Sequence, residues 1–475
     1  MSSSIAGETA DAARSRVVSQ VIKAYDVRGL VGEQLDAAFV RDVGAAFATL
    51  LTAESGGAPA NGVVIGRDMR DSSPELAAAF AEGVTSLGVD VTDIGLASTD
   101  MLYYASGALD APGAMFTASH NPAAYNGIKL CRAGASPVGQ DTGLDEIAAL
   151  LDRGPGEAAA GHDGPRGTVS ERDMREDYAA YLHGLVDLSG IRRLSIVVDA
   201  GNGMAGYTVP AVLEPLPLEI YPLYFELDGS FPNHEANPLN PDNLVDLQRE
   251  VSTLKRVDVG LAFDGDADRV FLVDEKGDAV SPSAITALVA TRELAKEPGA
   301  TIIHNLITSR AVPEIVAEQG GKPVRTRVGH SFIKATMAET GAIFGGEHSA
   351  HYYFRDFFRA DSGMLAALHV LAALAEQDKP LSEFMAQYSR YAASGEVNST
   401  VDDPAARMAE VEQLYGDRDD VTTDTLDGLT VSFDSGDWFN LRPSNTEPLL
   451  RLNVEAADAD AVAALRDEVL AVVRR

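Results

Sequence analysis

Gly62-Val63-Val64-Ile65-Gly66 is a short β-branched run that closes on Arg67-Asp68, and an Ala/Leu-rich helical period follows over 74–87. A brief apolar run bounded by turn residues reads as a buried strand, and the helical period after it reads as a helix packed on that strand. The pattern continues with strands over 89–95 and 113–116. It restarts at 194–199 (L-S-I-V-V-D), ahead of Ala200-Gly201-Asn202-Gly203, and again at 257–263 and 270–274 on either side of an acidic turn. Further strands are expected at 301–304 and 342–345. Strands alternating with helices predict βαβ units and mainly parallel sheets.

Three breaks divide the chain. Residues 152–168 are rich in Gly, Pro and Ala, the turn Glu275-Lys276-Gly277-Asp278 runs on to Ser281-Pro282, and 392–404 precedes a tail of different character. That tail has short strands expected at 428–433, 437–441 and 449–454, and a terminal helix from about Asp458. The expected organisation is four domains, 1–165, 166–276, 277–392 and 393–475, the first three α/β and the last a smaller α+β unit.

Composition removes whole classes of function. The 475 residues carry 38 Lys+Arg against 71 Asp+Glu, a formal charge of −33, which disfavours nucleic acid and anionic membrane surfaces as partners. A single cysteine, Cys131, cannot close an internal disulfide and fits no metal-site spacing. The first twenty residues lack the apolar core of a signal peptide, and the most apolar helical stretch, 364–375, is interrupted by His369 and is too short to span a bilayer. A cytoplasmic protein is expected.

Five segments carry chemistry. Thr117-Ala118-Ser119-His120-Asn121-Pro122 follows the strand at 113–116, where parallel α/β units place their functional loops. Serine beside histidine suits a nucleophile on a tight turn, and the same residues suit a strand-to-helix cap equally well. Asp264-Gly265-Asp266-Ala267-Asp268-Arg269 lies between two strands. Carboxylates at alternate positions can face one side, and oxygen ligands without His or Cys suit Mg²⁺ or Ca²⁺ rather than zinc. With Arg269 at the sixth place and Glu275 at the twelfth, only half of an EF-hand pattern is present. A solvated acidic turn is the alternative. In Gly345-Gly346-Glu347-His348-Ser349-Ala350-His351, Glu and Ser could bind sugar hydroxyls, His and Glu could bind a metal, or the polar groups could simply bond one another. Arg442-Pro443-Ser444-Asn445-Thr446-Glu447-Pro448 offers a dense donor set for phosphate, although ordinary turn chemistry uses the same residues. Lys23-Ala24-Tyr25-Asp26-Val27-Arg28-Gly29 supplies cations and a phenol, which a surface segment also carries without a special role.

In this order the five motifs resemble the α-D-phosphohexomutase superfamily, over roughly residues 23–454. The resemblance implies three similar mixed-sheet α/β domains and a smaller C-terminal α+β domain around a central cleft, each giving one loop to the site. It implies that Ser119 is a phosphoserine and that Asp264, Asp266 and Asp268 hold Mg²⁺ together with a phosphoserine oxygen. Arg269 would stand beside the transferred phosphoryl group, and Glu347 and Ser349 would grip sugar hydroxyls. Arg442, Ser444, Asn445 and Thr446 would hold the phosphate that is not reacting. Tyr25, Arg28, His120, Lys129, His330 and His351 match positions used for phosphate contact or proton transfer. The substrates implied are phosphorylated hexoses, with a hexose 1,6-bisphosphate as activator, and the chain would act as a monomer or homodimer.

The segment G-E-H-S-A-H is most similar to the mannose and dual mannose/glucose members, since glucosamine-type members usually carry Gln at the place of His348. Asn445 also suits that group. On this reading His348 is the residue that discriminates between sugars. Some dual-specificity members have a Lys in the segment matching 305–310, where this chain aligns Ile307. The expected activity is therefore interconversion of mannose 6-phosphate and mannose 1-phosphate with some action on glucose phosphates. Glucose- or glucosamine-specific mutases, a serine phosphomonoesterase and a non-catalytic sugar-phosphate-binding relative are the alternatives. All four of Ser119, Asp264, Asp266 and Asp268 are present, which a non-catalytic relative would not require.

Overall fold

A computed structural model describes residues 10–154, 156–159, 164–416, 418–443 and 449–475. The chain forms two compact units, one made by the residues up to Ala279 with Tyr353–Pro380, the other by Val280–Tyr352 and Leu381–Arg475.

In the first unit the opening run is the strand Val63–Arg67, parallel to Val91–Leu96 on one side and to Gly113–Phe116 on the other. Tyr125–Arg132 then runs antiparallel to Gly113–Phe116 and to Val27–Leu30, so the sheet is mixed. Its central strands are buried on both faces and read as continuous apolar runs. The helix Ser73–Thr85 packs Phe80 between Phe47 and Phe116, with ring centroids at 6.1 and 5.4 Å. The helix starts and stops slightly earlier than the periodicity of 74–87 suggests, with Pro74 in its first turn, where a missing N–H costs no helical bond.

A second mixed sheet in the same unit holds Leu194–Asp199 between parallel Leu218–Leu223 and Val259–Phe263, with Val270–Val273 antiparallel at the acidic turn. The apolar helix Gly363–Ala375 is buried along its whole length, and Ser362 at its N-cap donates to Asp100 in the first sheet's domain at 2.6 Å. Among the described residues no helix is long and apolar enough to cross a membrane.

In the second unit Thr301–Asn305 is flanked by parallel Lys322–Thr326 and Phe344–Gly346. The C-terminal part is an antiparallel five-stranded sheet in the order Ala392–Thr400, Leu449–Ala456, Trp438–Pro443, Leu429–Phe433, Val421–Asp424, covered by the helix Ala459–Val473. Asp458 caps that helix through the Ala461 N–H, as its position in the sequence suggests. The break expected at 392–404 opens on regular structure. Its first nine residues are an edge strand paired along Leu449–Ala456. That strand is mostly solvent-facing, so it has no apolar alternation of its own and takes its form from its partner.

Candidate active site

The loop after Gly113–Phe116 turns sharply at Ser119, which has φ of +50° and is 5% exposed. Its N–H is held by Thr117 Oγ1 at 2.8 Å. The acidic turn packs directly on it. A Cβ on Gly265 would lie 2.5 Å from the Ser119 carbonyl oxygen, so only glycine permits this approach. The Ser119 hydroxyl donates to Asp264 Oδ2 at 2.9 Å, and Arg269 Nη2 donates to Ser119 Oγ at 3.4 Å.

Arg269 is pinned by Asp264 through Nε at 2.9 Å and Nη2 at 2.7 Å. The same Nη2 meets His120 Nδ1 at 2.6 Å. A guanidinium can only donate, so Nδ1 is the acceptor and the imidazole is neutral, its proton on Nε2. Burial, reinforced by Arg269, holds the His120 pKa well below its usual value.

Asp264, Asp266 and Asp268 are essentially buried, and they offer carboxylate oxygens that all lie within 4.8 Å of one another. Lys129 Nζ donates to Asp266 Oδ2 and to Asp268 Oδ2, both at 2.7 Å. Thr99 adds its hydroxyl to Asp266 Oδ2 at 2.6 Å and its N–H to the Asp266 carbonyl at 3.0 Å. Burial pushes the Asp264 carboxyl up against the pull of Arg269. Burial would raise Asp266 as well, but Lys129 and Thr99 outweigh it and hold that carboxyl below the usual range.

Three carboxylates face two cations here, and Asp266 Oδ1 is buried without a hydrogen-bond partner among the described residues. An excess of negative charge, an unused buried oxygen and an all-oxygen donor set fit a hard divalent cation. The acidic group could therefore bind a metal.

In the second unit the carboxyl ends of parallel strands again carry the polar loops. Glu347 is 2% exposed, and its Oε1 accepts from Asn305 Nδ2 at 3.2 Å and from the Gly329 N–H at 3.1 Å. His348 Nδ1 lies 3.1 Å from Ser283 Oγ, which itself accepts the Ser309 N–H at 3.1 Å. Burial lowers the His348 pKa, although Glu396 opposes the shift. His348, Ser283, Ser309, Trp438 and Asn453 line a cavity of about 260 Å³. Arg442, at the end of Trp438–Pro443, pairs with Glu396 at 2.8 Å.

Of the residues singled out by sequence, Ser119, His120, Lys129, Asp264, Asp266, Asp268 and Arg269 converge in the first unit. Arg28 joins them by donating to Asn121 Oδ1 of the serine loop at 2.6 Å, and Tyr25 lies half-buried in the bend before Val27–Leu30. Glu347, His348, Ser349, His351 and Arg442 belong to the second unit. Ser444, Asn445 and Thr446 lie outside the described residues, as does the side chain of His330. Four further residues come to light only in the structure: Arg70, Thr99, Ser283 and Asn305. Arg70 had a signal, because it lies just past the carboxyl end of a buried parallel strand.

Four family models match the chain: phosphoglucomutase/phosphomannomutase α/β/α domain I over residues 19–155, domain II over 176–277, domain III over 281–391, and the C-terminal domain over 396–472. A phosphomannomutase of Salmonella montevideo is 39% identical over 457 residues, covering 94% of this chain and 97% of its own. A protein of Xanthomonas campestris pv. campestris described as phosphohexose mutases is also 39% identical, over 95% of this chain and 98% of its own. The crystal structure of a phosphoglucomutase/phosphomannomutase family protein from Burkholderia thailandensis matches with a TM-score of 0.84 at 32% identity, covering 96% of this chain and 97% of that one.

Proposed function

The chain belongs to the phosphoglucomutase/phosphomannomutase family, and from that premise we propose that it interconverts mannose 6-phosphate and mannose 1-phosphate in the cytoplasm, with some activity on glucose phosphates. The observation that carries this reading is the Ser119 hydroxyl, its proton directed at Asp264 and its oxygen at Arg269, on the rim of a buried three-carboxylate cluster.

In the proposed cycle Ser119 carries a phosphoryl group. The free hydroxyl of the bound hexose monophosphate attacks phosphorus as the bond to Ser119 Oγ breaks, and the proton it loses is balanced by the one Ser119 Oγ gains on leaving, which gives a 1,6-bisphosphate and a free serine hydroxyl. That intermediate turns end for end, and Ser119 Oγ takes back the other phosphoryl group as its bond to the sugar oxygen breaks. The same bisphosphate, added from solution, would prime an unphosphorylated chain.

Phosphoryl transfer spreads negative charge over three oxygens, so positioning and electrostatics dominate catalysis. Arg269 supports this role by donating toward Oγ while Asp264 holds it in place. Asp264, Asp266 and Asp268 would hold Mg²⁺, with an oxygen of phosphorylated Ser119 as a further ligand. Mg²⁺ so bound supplies charge neutralisation at the phosphoryl oxygens. Lys129 and Arg28 contribute cations around the serine loop, and neutral His120 can present its Nε2–H as a donor. Glu347 and Ser349 are assigned to sugar hydroxyls, His348 to discrimination between sugars, and Arg442, Ser444, Asn445 and Thr446 to the phosphate that is not reacting. His330 and His351 are assigned to phosphate contact or proton transfer.

The test is turnover of mannose 1-phosphate and glucose 1-phosphate with a hexose 1,6-bisphosphate activator, with inorganic phosphate followed in parallel. Formation of the 6-phosphates without net phosphate release is expected. Stoichiometric phosphate release would replace the mutase with a phosphatase.

A further inference from the structure

Arg70 is 1% exposed, and its position accounts for every hydrogen it can donate. A guanidinium has five N–H donors in a rigid fork. Here Nε donates to Asp68 Oδ2 at 3.2 Å. Nη1 donates to the carbonyls of Pro122 at 2.9 Å and Tyr125 at 3.0 Å. Nη2 donates to the carbonyls of Ser119 at 2.8 Å and Asn121 at 2.7 Å. Four of these five acceptors are main-chain oxygens, three in the loop that carries Ser119 and one on the first residue of the strand that follows it, all turned onto one cation.

That loop has reason to need an external tie. Ser119 sits in the left-handed region, which a residue with a Cβ adopts only when its surroundings require it. Pro122 brings no N–H to pair with a neighbouring carbonyl. The guanidinium is held from the other side as well. The Phe231 ring lies over it at 5.1 Å, and Gly229 brings its backbone so near that a Cβ there would stand 2.6 Å from the Arg70 Cα.

We propose that Arg70 is the positioning residue for phosphoryl transfer: by gathering three carbonyls of the serine loop and that of Tyr125 just beyond it, it fixes Ser119 in the left-handed conformation that lays its hydroxyl on Asp264 and Arg269. This rests on Ser119 being the phosphorylated nucleophile. Arg70 need not touch substrate to act. Its charge also stays under the loop while the serine gains and loses about two negative charges. Lysine cannot replace it, since an ammonium has three donors and no planar fork for five acceptors.

The experiment compares wild type with Arg70→Lys for labelling by hexose 1,6-bisphosphate, kcat, KM and melting temperature. Wild type should take up one phosphoryl group on Ser119. In Arg70→Lys, kcat and the labelling rate should fall roughly 10- to 100-fold while KM stays within about twofold, the pattern of a displaced reacting group rather than a lost binding contact. If wild type labels and Arg70→Lys matches it in kcat and labelling rate, the role of Arg70 is overturned and the mutase reading stands. A risen KM with unchanged kcat overturns it equally. If wild type itself takes no label, the reading of Ser119 fails and this proposal with it. Should Arg70→Lys not fold, Phe231→Leu decides, because it removes the ring that backs the guanidinium and so loosens the fork on its acceptors without removing a donor. A fall in kcat of roughly 2- to 5-fold at constant KM is expected from losing the ring, and an unchanged kcat overturns the proposal.

Discussion

The hydroxyl of Ser119 hydrogen-bonds the carboxylate of Asp264, 145 residues further along the chain, at 2.9 Å. The bond joins the ends of two different sheets and ties the proposed nucleophile to the acidic turn before any ligand arrives. Both partners are almost fully buried, so neither can find a substitute in solvent without moving a loop.

Ser119 should be the residue that bisphosphate labels. Intact-mass measurement after incubation with hexose 1,6-bisphosphate should show one added phosphoryl group in wild type and none in Ser119→Ala. A label that persists in the variant would move the nucleophile elsewhere.

Chelation should abolish turnover, and Mg²⁺ should restore it better than Zn²⁺, because every candidate ligand is a hard oxygen. Asp266→Asn should lower kcat far more than it changes KM. Mg²⁺ should also raise the melting temperature of wild type more than that of Asp266→Asn, a readout independent of activity. Full activity in excess chelator would remove the metal from the mechanism.

His348→Gln should change the ratio of mannose to glucose turnover by roughly 2- to 10-fold, the worth of one hydrogen bond to a neutral hydroxyl. Ser283→Ala should shift the ratio in the same direction, since Ser283 Oγ orients the imidazole through Nδ1. Labelling of Ser119 should survive both changes. A constant ratio at normal melting temperature would show that His348 only supports its loop.

Asp100 should make stability fall as pH rises through mild acid. It is fully buried, and burial pushes its pKa up to about 6 even though Ser362, Ser98 and Tyr178 all donate to it. A carboxyl with a higher pKa folded than unfolded holds its proton more tightly in the fold. Its penalty is therefore absent below about pH 4, grows between about 4 and 6, and is complete above that, at roughly 3 kcal/mol. Urea unfolding of wild type and Asp100→Asn at several pH values isolates this contribution. The difference should move in the variant's favour up to about pH 6 and then level off, and a pH-independent difference would refute it.

Much of this protein is legible along the chain. Leu194–Asp199 and Gly113–Phe116 are found where their apolar runs predict them, Asp458 caps the last helix, and the serine and acidic loops follow strands as α/β proteins require. These features depend on neighbours within a few residues, where side-chain period, caps and turns act. The strand Ala392–Thr400 is different, because its form comes from the partner Leu449–Ala456 and no local period marks it.

What only the tertiary structure decided is which polar groups meet. Arg70 reaches carbonyls 49 to 55 residues away, Thr99 reaches Asp266 across 167, and Ser362 reaches Asp100 across 262. In sequence each looks like an ordinary polar residue near a strand or helix end. Burial changes that, because a charge or amide removed from water must find a partner among whatever the packed strands and helices bring to it. The sequence by itself determined the strands, the helices and the chemistry of each loop. Packing decided which of those loops share hydrogen bonds, since that choice depends on groups no local window contains.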